Sequence, residues 1–137
     1  MQTTIKVRGY HLDVYQHVNN ARYLEFLEEA RWAWLEQEDA FHWLQENHYG
    51  FVVVNININY RRPAVLGDVL NVASELVEFG GRSGVISQTV TLSPGGEVVT
   101  DARLTFACID LKTHKALPIE GELKQRLSSM VKSREAV

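Results

Sequence analysis

The sequence predicts an α+β domain in which a curved antiparallel sheet covers one long, largely buried helix. Three features carry that reading: an apolar stripe at three- and four-residue steps between Ala21 and Glu36, a two-residue alternation that sets in at Phe51 and recurs to Leu111, and turns rich in glycine or proline between the alternating runs. The 137 residues match a common single-domain size, and a composition of 45% apolar and 23% charged residues is that of an ordinary globular chain. One domain over residues 1–137 is expected, with a core large enough to need no disulfide or metal staple.

Local pattern places each element in turn. Ile5 and Val7 alternate with charged neighbours, which predicts a half-buried first strand over residues 3–10, ended at Gly9. Polar and turn-forming residues fill His11–Asn20, and Asn19 or Asn20 then caps a helix over Ala21–Glu36. Tyr23, Phe26, Leu27, Ala30, Ala33 and Trp34 share one face of it. Residues 38–48 fit either a short helix or a packed loop. Val54, Ile56, Ile58 and Tyr60 alternate with Asn55, Asn57 and Asn59 in a long strand. Arg61-Arg62-Pro63 and Gly67-Asp68 punctuate the chain before a strand over Val69–Phe79. Gly80-Gly81 marks a hairpin, Gly84–Leu92 a further strand, Pro94-Gly95-Gly96 another turn, and Val98–Leu111 the last strand. Leu123, Leu127 and Met130 or Val131 form the apolar side of a C-terminal helix, with a polar tail fraying after Lys132. Long strands leave rows of unpaired backbone groups at the sheet edge, so a homo-oligomer paired through an edge strand is expected.

Composition excludes several classes of function. Cys108 is alone, which rules out an intramolecular disulfide and a cysteine-rich zinc cluster and fits a reducing, cytoplasmic setting. It lies in phase with Ala102, Leu104 and Phe106 and reads as a small buried hydrophobe. The five histidines, at positions 11, 17, 42, 48 and 114, lack the helical spacing of a metal site, so neither a metal nor another cofactor is expected. Lys6 and Arg8 stand where an export signal needs an apolar core. The apolar run Phe51–Tyr60 falls far short of the about 20 residues of a membrane span. A formal net charge of -3 provides no footprint for general nucleic-acid binding. No Gly-x-Ser-x-Gly elbow of an α/β-hydrolase occurs.

Chemistry concentrates in Tyr10–Asn20, the segment least explained by packing, with two histidines and one carboxylate. A helix N-terminus presents unpaired N–H groups that receive a carbonyl oxygen as negative charge develops on it. Asp13, a few residues upstream, is placed to activate a water as general base or to attack the carbonyl carbon directly. The bland alternative is that Asp13 only caps a turn. Glu29, with Arg31 and Arg22, is expected to form surface or subunit-contact ion pairs.

These residues also carry a resemblance. Asp13, His17-Val18-Asn19-Asn20 and Tyr23-Leu24, continuing through Glu29-Ala30-Arg31, resemble the signature of hotdog-fold acyl-CoA thioesterases of the 4-hydroxybenzoyl-CoA thioesterase-like group. Asn57-Ile58-Asn59-Tyr60-Arg61-Arg62-Pro63-Ala64 and Gly67-Asp68 resemble that group's second strand and turn, so the likeness runs from Ile5 nearly to Met130. It implies a hotdog fold, the sheet wrapped round the long helix, with sites formed between subunits of a dimer or tetramer. It also implies hydrolysis of medium- to long-chain fatty acyl-CoA to free fatty acid and CoA. Asp13 matches the catalytic carboxylate and Asn19-Asn20 the helix start whose amide polarises the thioester carbonyl. The candidate catalytic set is Asp13, His17 and Asn20; Tyr23, Arg61, Arg82 and Ser83 are candidates for substrate binding. The phosphates of CoA call for basic groups, which Arg61, Arg62, Arg82 and Lys112 offer, Arg82 beside Ser83 being preferred. Phe26, Trp32, Trp34, Phe51 and Val54 are available to line an acyl slot. Two positions depart from the common pattern: many members carry a second Asp where His11 stands and Gly where Gln16 stands. A non-catalytic acyl-CoA-binding module is the alternative, and a hydratase on the same fold ranks last.

Overall fold

The computed structural model describes residues 1–135, with side chains described through Val131. In chain order its elements are β1 (Gln2–Lys6), a 3₁₀ turn (Gly9–His11), α1 (Asn20–Gln37), α2 (Phe41–Glu46), β2 (Tyr49–Tyr60), β3 (Val69–Phe79), β4 (Ser83–Ser93), β5 (Val98–Asp110), β6 (Lys115–Ala116) and α3 (Gly121–Glu135). The sheet order is β1-β3-β4-β5-β2, with β6 paired to β5. Pairing is antiparallel: Gln2 faces Ala73 while Lys6 faces Val69. The Arg61 amide donates to Val99 O at one end of β2, and the Leu111 amide donates to His48 O at the other.

The expected α+β architecture is present, and β3 has the bounds read from its alternation. The first strand stops at Lys6, because Gly9–His11 closes a 3₁₀ turn in which the His11 amide bonds Arg8 O. Residues 38–48 contain the single short helix α2. The two-residue β6 is too short to leave a periodic signal. α3 continues through Glu135, past the point where the polar tail was expected to fray; Ala136 and Val137 lie outside the described residues.

Contacts divide the chain into two compact units. One holds residues 1–34, 58–74 and 88–102, the other 35–57, 75–87 and 103 onward. In the first, the α1 stripe is buried through Tyr23, Phe26, Leu27 and Ala30, along with Leu70, Val72 and Val90 of the sheet. Removing such apolar surface from water is the main stabilising term, about 1.5–3 kcal/mol for each fully buried large side chain. Gln88 is completely buried among them, and its amide is satisfied: Nε2 donates to Leu27 O (3.0 Å) and to Ser74 Oγ (2.9 Å), while Oε1 accepts from Arg31 Nη1 (3.1 Å). Arg31 is thereby drawn to Gln88, and Arg22 pairs with Glu25 (2.7 Å), so among the described residues of the chain neither arginine forms the surface ion pair expected with Glu29.

His11 is buried in this unit against Phe26, ring centroids 4.9 Å apart, and its Nδ1 accepts the Arg8 amide at 2.9 Å. That bond requires an unprotonated Nδ1. Burial, then the charge of Arg22, holds the imidazole pKa below its ordinary value of 6.5; Glu25 opposes the shift and Arg8 adds to it.

The second unit packs Leu76, Leu104, Phe106, Cys108, Leu123 and Leu127. Burial pushes the Cys108 thiol up to about 11. Phe106 meets Phe51 edge-on at 5.2 Å, and Arg126, held by Glu122 at 3.0 Å, lies 4.5 Å over the Trp43 ring. Gly84 is required by close approach, since a Cβ there would sit 2.5 Å from Phe106 Cζ and 3.1 Å from Glu78 O.

Gly84→Ala should therefore lower unfolding stability by about 1–3 kcal/mol through overpacking, read by chemical denaturation. A second expectation concerns pH. Because the folded state holds His11 neutral, its contribution is present above pH 6.5 and is lost as pH falls through the lowered value. The stability lost between pH 7.5 and pH 5.5 should shrink in His11→Asn, whose amide oxygen replaces Nδ1 as acceptor without titrating.

Candidate active site

Leu12 and Val18 form an isolated antiparallel bridge, and between them the chain turns tightly: the Asp13 amide donates to His17 O (2.9 Å) and the Gln16 amide to Asp13 O (3.0 Å). Gln16 has φ 63°, the left-handed region where glycine is least strained. The Asp13 carboxylate caps its own turn through one oxygen only. Oδ1 accepts the Tyr15 amide at 2.9 Å and the His17 amide at 3.3 Å, and Oδ2 takes no bond among the described residues. Turn-capping and an available carboxylate oxygen thus coexist in one side chain.

Asn19 starts α1. Its amide donates to His11 O (2.9 Å), its side-chain Oδ1 accepts the Ala21 amide (2.9 Å), and its carbonyl accepts the Arg22 amide (2.8 Å). The cap consumes the Ala21 and Arg22 donors and leaves the Asn20 N–H without an acceptor among the described residues. Tyr60 braces the same residue from β2, its hydroxyl donating to Asn20 O at 3.2 Å.

A second loop closes on the first. The Val18 amide donates to Ala64 O (2.9 Å), and the following turn is fixed by Gly67 at φ 86° and by Asp68 Oδ2 accepting the Val65 amide (2.9 Å). Between the loops lies a cleft of about 380 Å³, lined by Asp13, His17, Val18, Asn20 and Tyr23 on one side and Tyr60, Arg61, Arg62 and Pro63 on the other. Its volume falls in the range of small-molecule sites. Tyr23 is buried, its ring 5.7 Å from that of Tyr60, and desolvation pushes its phenol up to about 12 against a hydrogen bond with the Ala64 backbone. It stays protonated at neutral pH. Arg61 bonds Asp101 through Nε (2.7 Å), and Asn59 Nδ2 donates to the same carboxylate (3.1 Å). These bonds hold the Asp101 carboxyl below its usual range and the guanidinium above its own.

Of the sequence-derived candidates, Asp13, His17, Asn20, Tyr23, Arg61 and Arg62 meet in this cleft. Arg82 and Ser83 lie in the other unit at the β3–β4 hairpin, where Arg82 O accepts the Cys108 amide. Lys112 is in the turn after β5, its amide on Asp110 Oδ1. Of the acyl-slot candidates, Phe26 and Trp34 are buried and Phe51 half-buried, whereas Trp32 and Val54 are exposed. Tyr60 was not among the site candidates, although it stands within the Asn57–Ala64 motif that pointed here.

Comparison with known proteins identifies the family. Residues 7–127 match the thioesterase-like superfamily. The chain is 67% identical over 132 residues to the long-chain acyl-CoA thioesterase FadM of Escherichia coli, covering 96% of this chain and 100% of that one. The crystal structure of YbaW, a probable thioesterase from Escherichia coli, superposes with a TM-score of 0.89 at 66% identity, covering 96% and 98% of the two chains. A thioesterase from Thermus thermophilus, solved in complex with coenzyme A and zinc, does so with a TM-score of 0.79 at 29% identity, covering 96% and 94%. The antiparallel sheet, the helix that opens the cleft and the C-terminal helix are those of the hotdog expectation. The chain belongs to the thioesterase-like superfamily and is a hydrolase of thioesters.

Proposed function

We propose that this enzyme hydrolyses medium- to long-chain fatty acyl-CoA to the free fatty acid and CoA. The observation that carries the proposal is the presence, in one cleft, of a carboxylate oxygen and a helix-start amide that both lack protein partners. The thioester oxygen accepts the Asn20 N–H, which stabilises the charge that develops there in the transition state. Asp13 Oδ2 either takes a proton from a water that attacks the carbonyl carbon or attacks it directly, with water then cleaving the anhydride. In both routes the C–S bond breaks, the thiolate leaves and gains a proton, and the acyl carbon ends as a carboxylate. His17, in the cleft wall, acts in hydrogen bonding to the reacting groups, and Tyr23 and Arg61 shape the cleft around the substrate.

The whole chain works as one thioesterase domain in a cytoplasmic setting, and it works as a homo-oligomer, a dimer or a tetramer. The support for oligomerisation is β2, a 12-residue strand at the end of the sheet order whose Val52, Val54 and Ile56 are exposed. Such an edge pairs readily with a second copy. Arg82 and Ser83 take part in substrate binding under this reading.

Thiol release from a series of acyl-CoA esters of increasing chain length, compared for wild type and Asp13→Asn, tests the proposal. The substitution should lower kcat by at least about 100-fold while acyl-CoA still binds. Turnover that persists in the variant removes Asp13 from the chemistry. Tight binding by wild type without thiol release makes the protein an acyl-CoA-binding module instead.

A further inference from the structure

Arg61 and Arg62 are neighbours in sequence and both line the cleft. In a regular strand, successive side chains point to opposite faces. Directly after β2 the alternation is broken, because the amides of Arg61 (2.8 Å) and Arg62 (3.3 Å) both donate to Val99 O, so two successive residues oppose one residue of β5. That is a β-bulge, which re-aims side chains at the end of a ladder, and Pro63, without an N–H, ends the pairing directly after it.

The two guanidiniums are not equivalent. Arg61 is forked onto Asp101, Nε to Oδ2 at 2.7 Å and Nη2 to Oδ1 at 3.4 Å, with Asn59 completing the carboxylate. Its charge is matched before any ligand arrives. Arg62 is exposed and makes no side-chain hydrogen bond or ion pair among the described residues. With the Arg61–Asp101 pair neutral overall, Asp13 and Arg62 are the unmatched carboxylate and guanidinium of the cleft wall. Without Arg62, a phosphorylated carrier would meet a wall of net negative sign.

We infer that Arg62 recognises a phosphate of the thiol carrier, and that Arg61 is a positioning residue which holds the bulge through Asp101. The inference rests on the thioesterase reading above and names the group by which that site tells a phosphorylated carrier from a bare thioester. An acyl chain and a pantetheine arm carry no charge, so phosphate is the anion such a substrate offers, and the planar guanidinium fork matches it. Two sources share this chemistry: the phosphate next to pantetheine, common to CoA and to carrier proteins, and the phosphates of the nucleotide end.

The test measures KM and kcat for one acyl group carried on CoA, dephospho-CoA, phosphopantetheine and pantetheine. Arg62→Gln should raise KM on CoA about tenfold, which corresponds to the strength of a charge-assisted hydrogen bond, and less than about twofold on pantetheine; Arg62→Lys should restore part of the loss. A penalty that survives on phosphopantetheine assigns the phosphate next to pantetheine, and one that disappears there assigns the nucleotide end. An equal penalty on pantetheine, or none on CoA, overturns the inference. Equilibrium binding of the CoA and pantetheine thioesters to Asp13→Asn, with and without Arg62→Gln, reads the same contrast without turnover. Absence of thiol release by wild type therefore counts against the reaction and not against Arg62.

Discussion

Asn19 is the residue on which the site depends. Every polar group of its backbone and its side-chain oxygen is engaged: the amide on His11 O, Oδ1 on the Ala21 amide and the carbonyl on the Arg22 amide. The first bond anchors the preceding loop, the second and third fix where α1 begins, and together they determine which helix-start amide is left over. A cap of this kind stabilises a helix by about 1 kcal/mol, a modest figure beside the burial of Leu27 or Leu70. Its importance is positional: the bonds that begin α1 here engage the Ala21 and Arg22 amides and leave the Asn20 N–H without an acceptor among the described residues.

Two loops of unlike construction share the cleft. The Asp13 loop is stiffened by side-chain and backbone bonds within five residues, whereas the loop after β2 takes its shape from a bulge, a proline and a glycine at positive φ. Among the described residues a single backbone bond, from the Val18 amide to Ala64 O, ties one to the other beside the fully buried Ala64. The proposed catalytic carboxylate and the proposed carrier-binding arginine are thus supported separately, and a change in one loop reaches the other chiefly through Val18, Ala64 and the tilted ring pair of Tyr23 and Tyr60.

Much of this was legible in the sequence because it rests on local pattern. Period-two runs located the long strands, the helical stripe identified Tyr23, Phe26, Leu27 and Ala30 as buried, and the cap was narrowed to Asn19 or Asn20, of which Asn19 fills it. What stayed hidden depends on distant partners. Asp101 lies forty residues from the arginine it neutralises, so nothing local separates Arg61 from Arg62. The bulge against Val99 alters no sequence period that can be counted. Gln88 occupies an apolar face, where the Leu27 carbonyl, Ser74 and Arg31 satisfy its buried amide. The exposure of Val54 and Ile56 follows from the place of β2 at the end of the sheet order, which alternation alone does not report.

Cys108 has a bearing on how long such an enzyme survives its own reaction. Each turnover of a thioester hydrolase releases a thiol, and that thiol and its disulfides accumulate around the protein. Thiol–disulfide exchange needs an accessible thiolate. The chain's one sulfhydryl is fully buried on β5 and stays protonated well above neutral pH, so it offers neither access nor the reactive form. Cys108 is therefore protected from mixed disulfides with the product, and oxidation in the thiol pool acts on the released thiol rather than on this side chain.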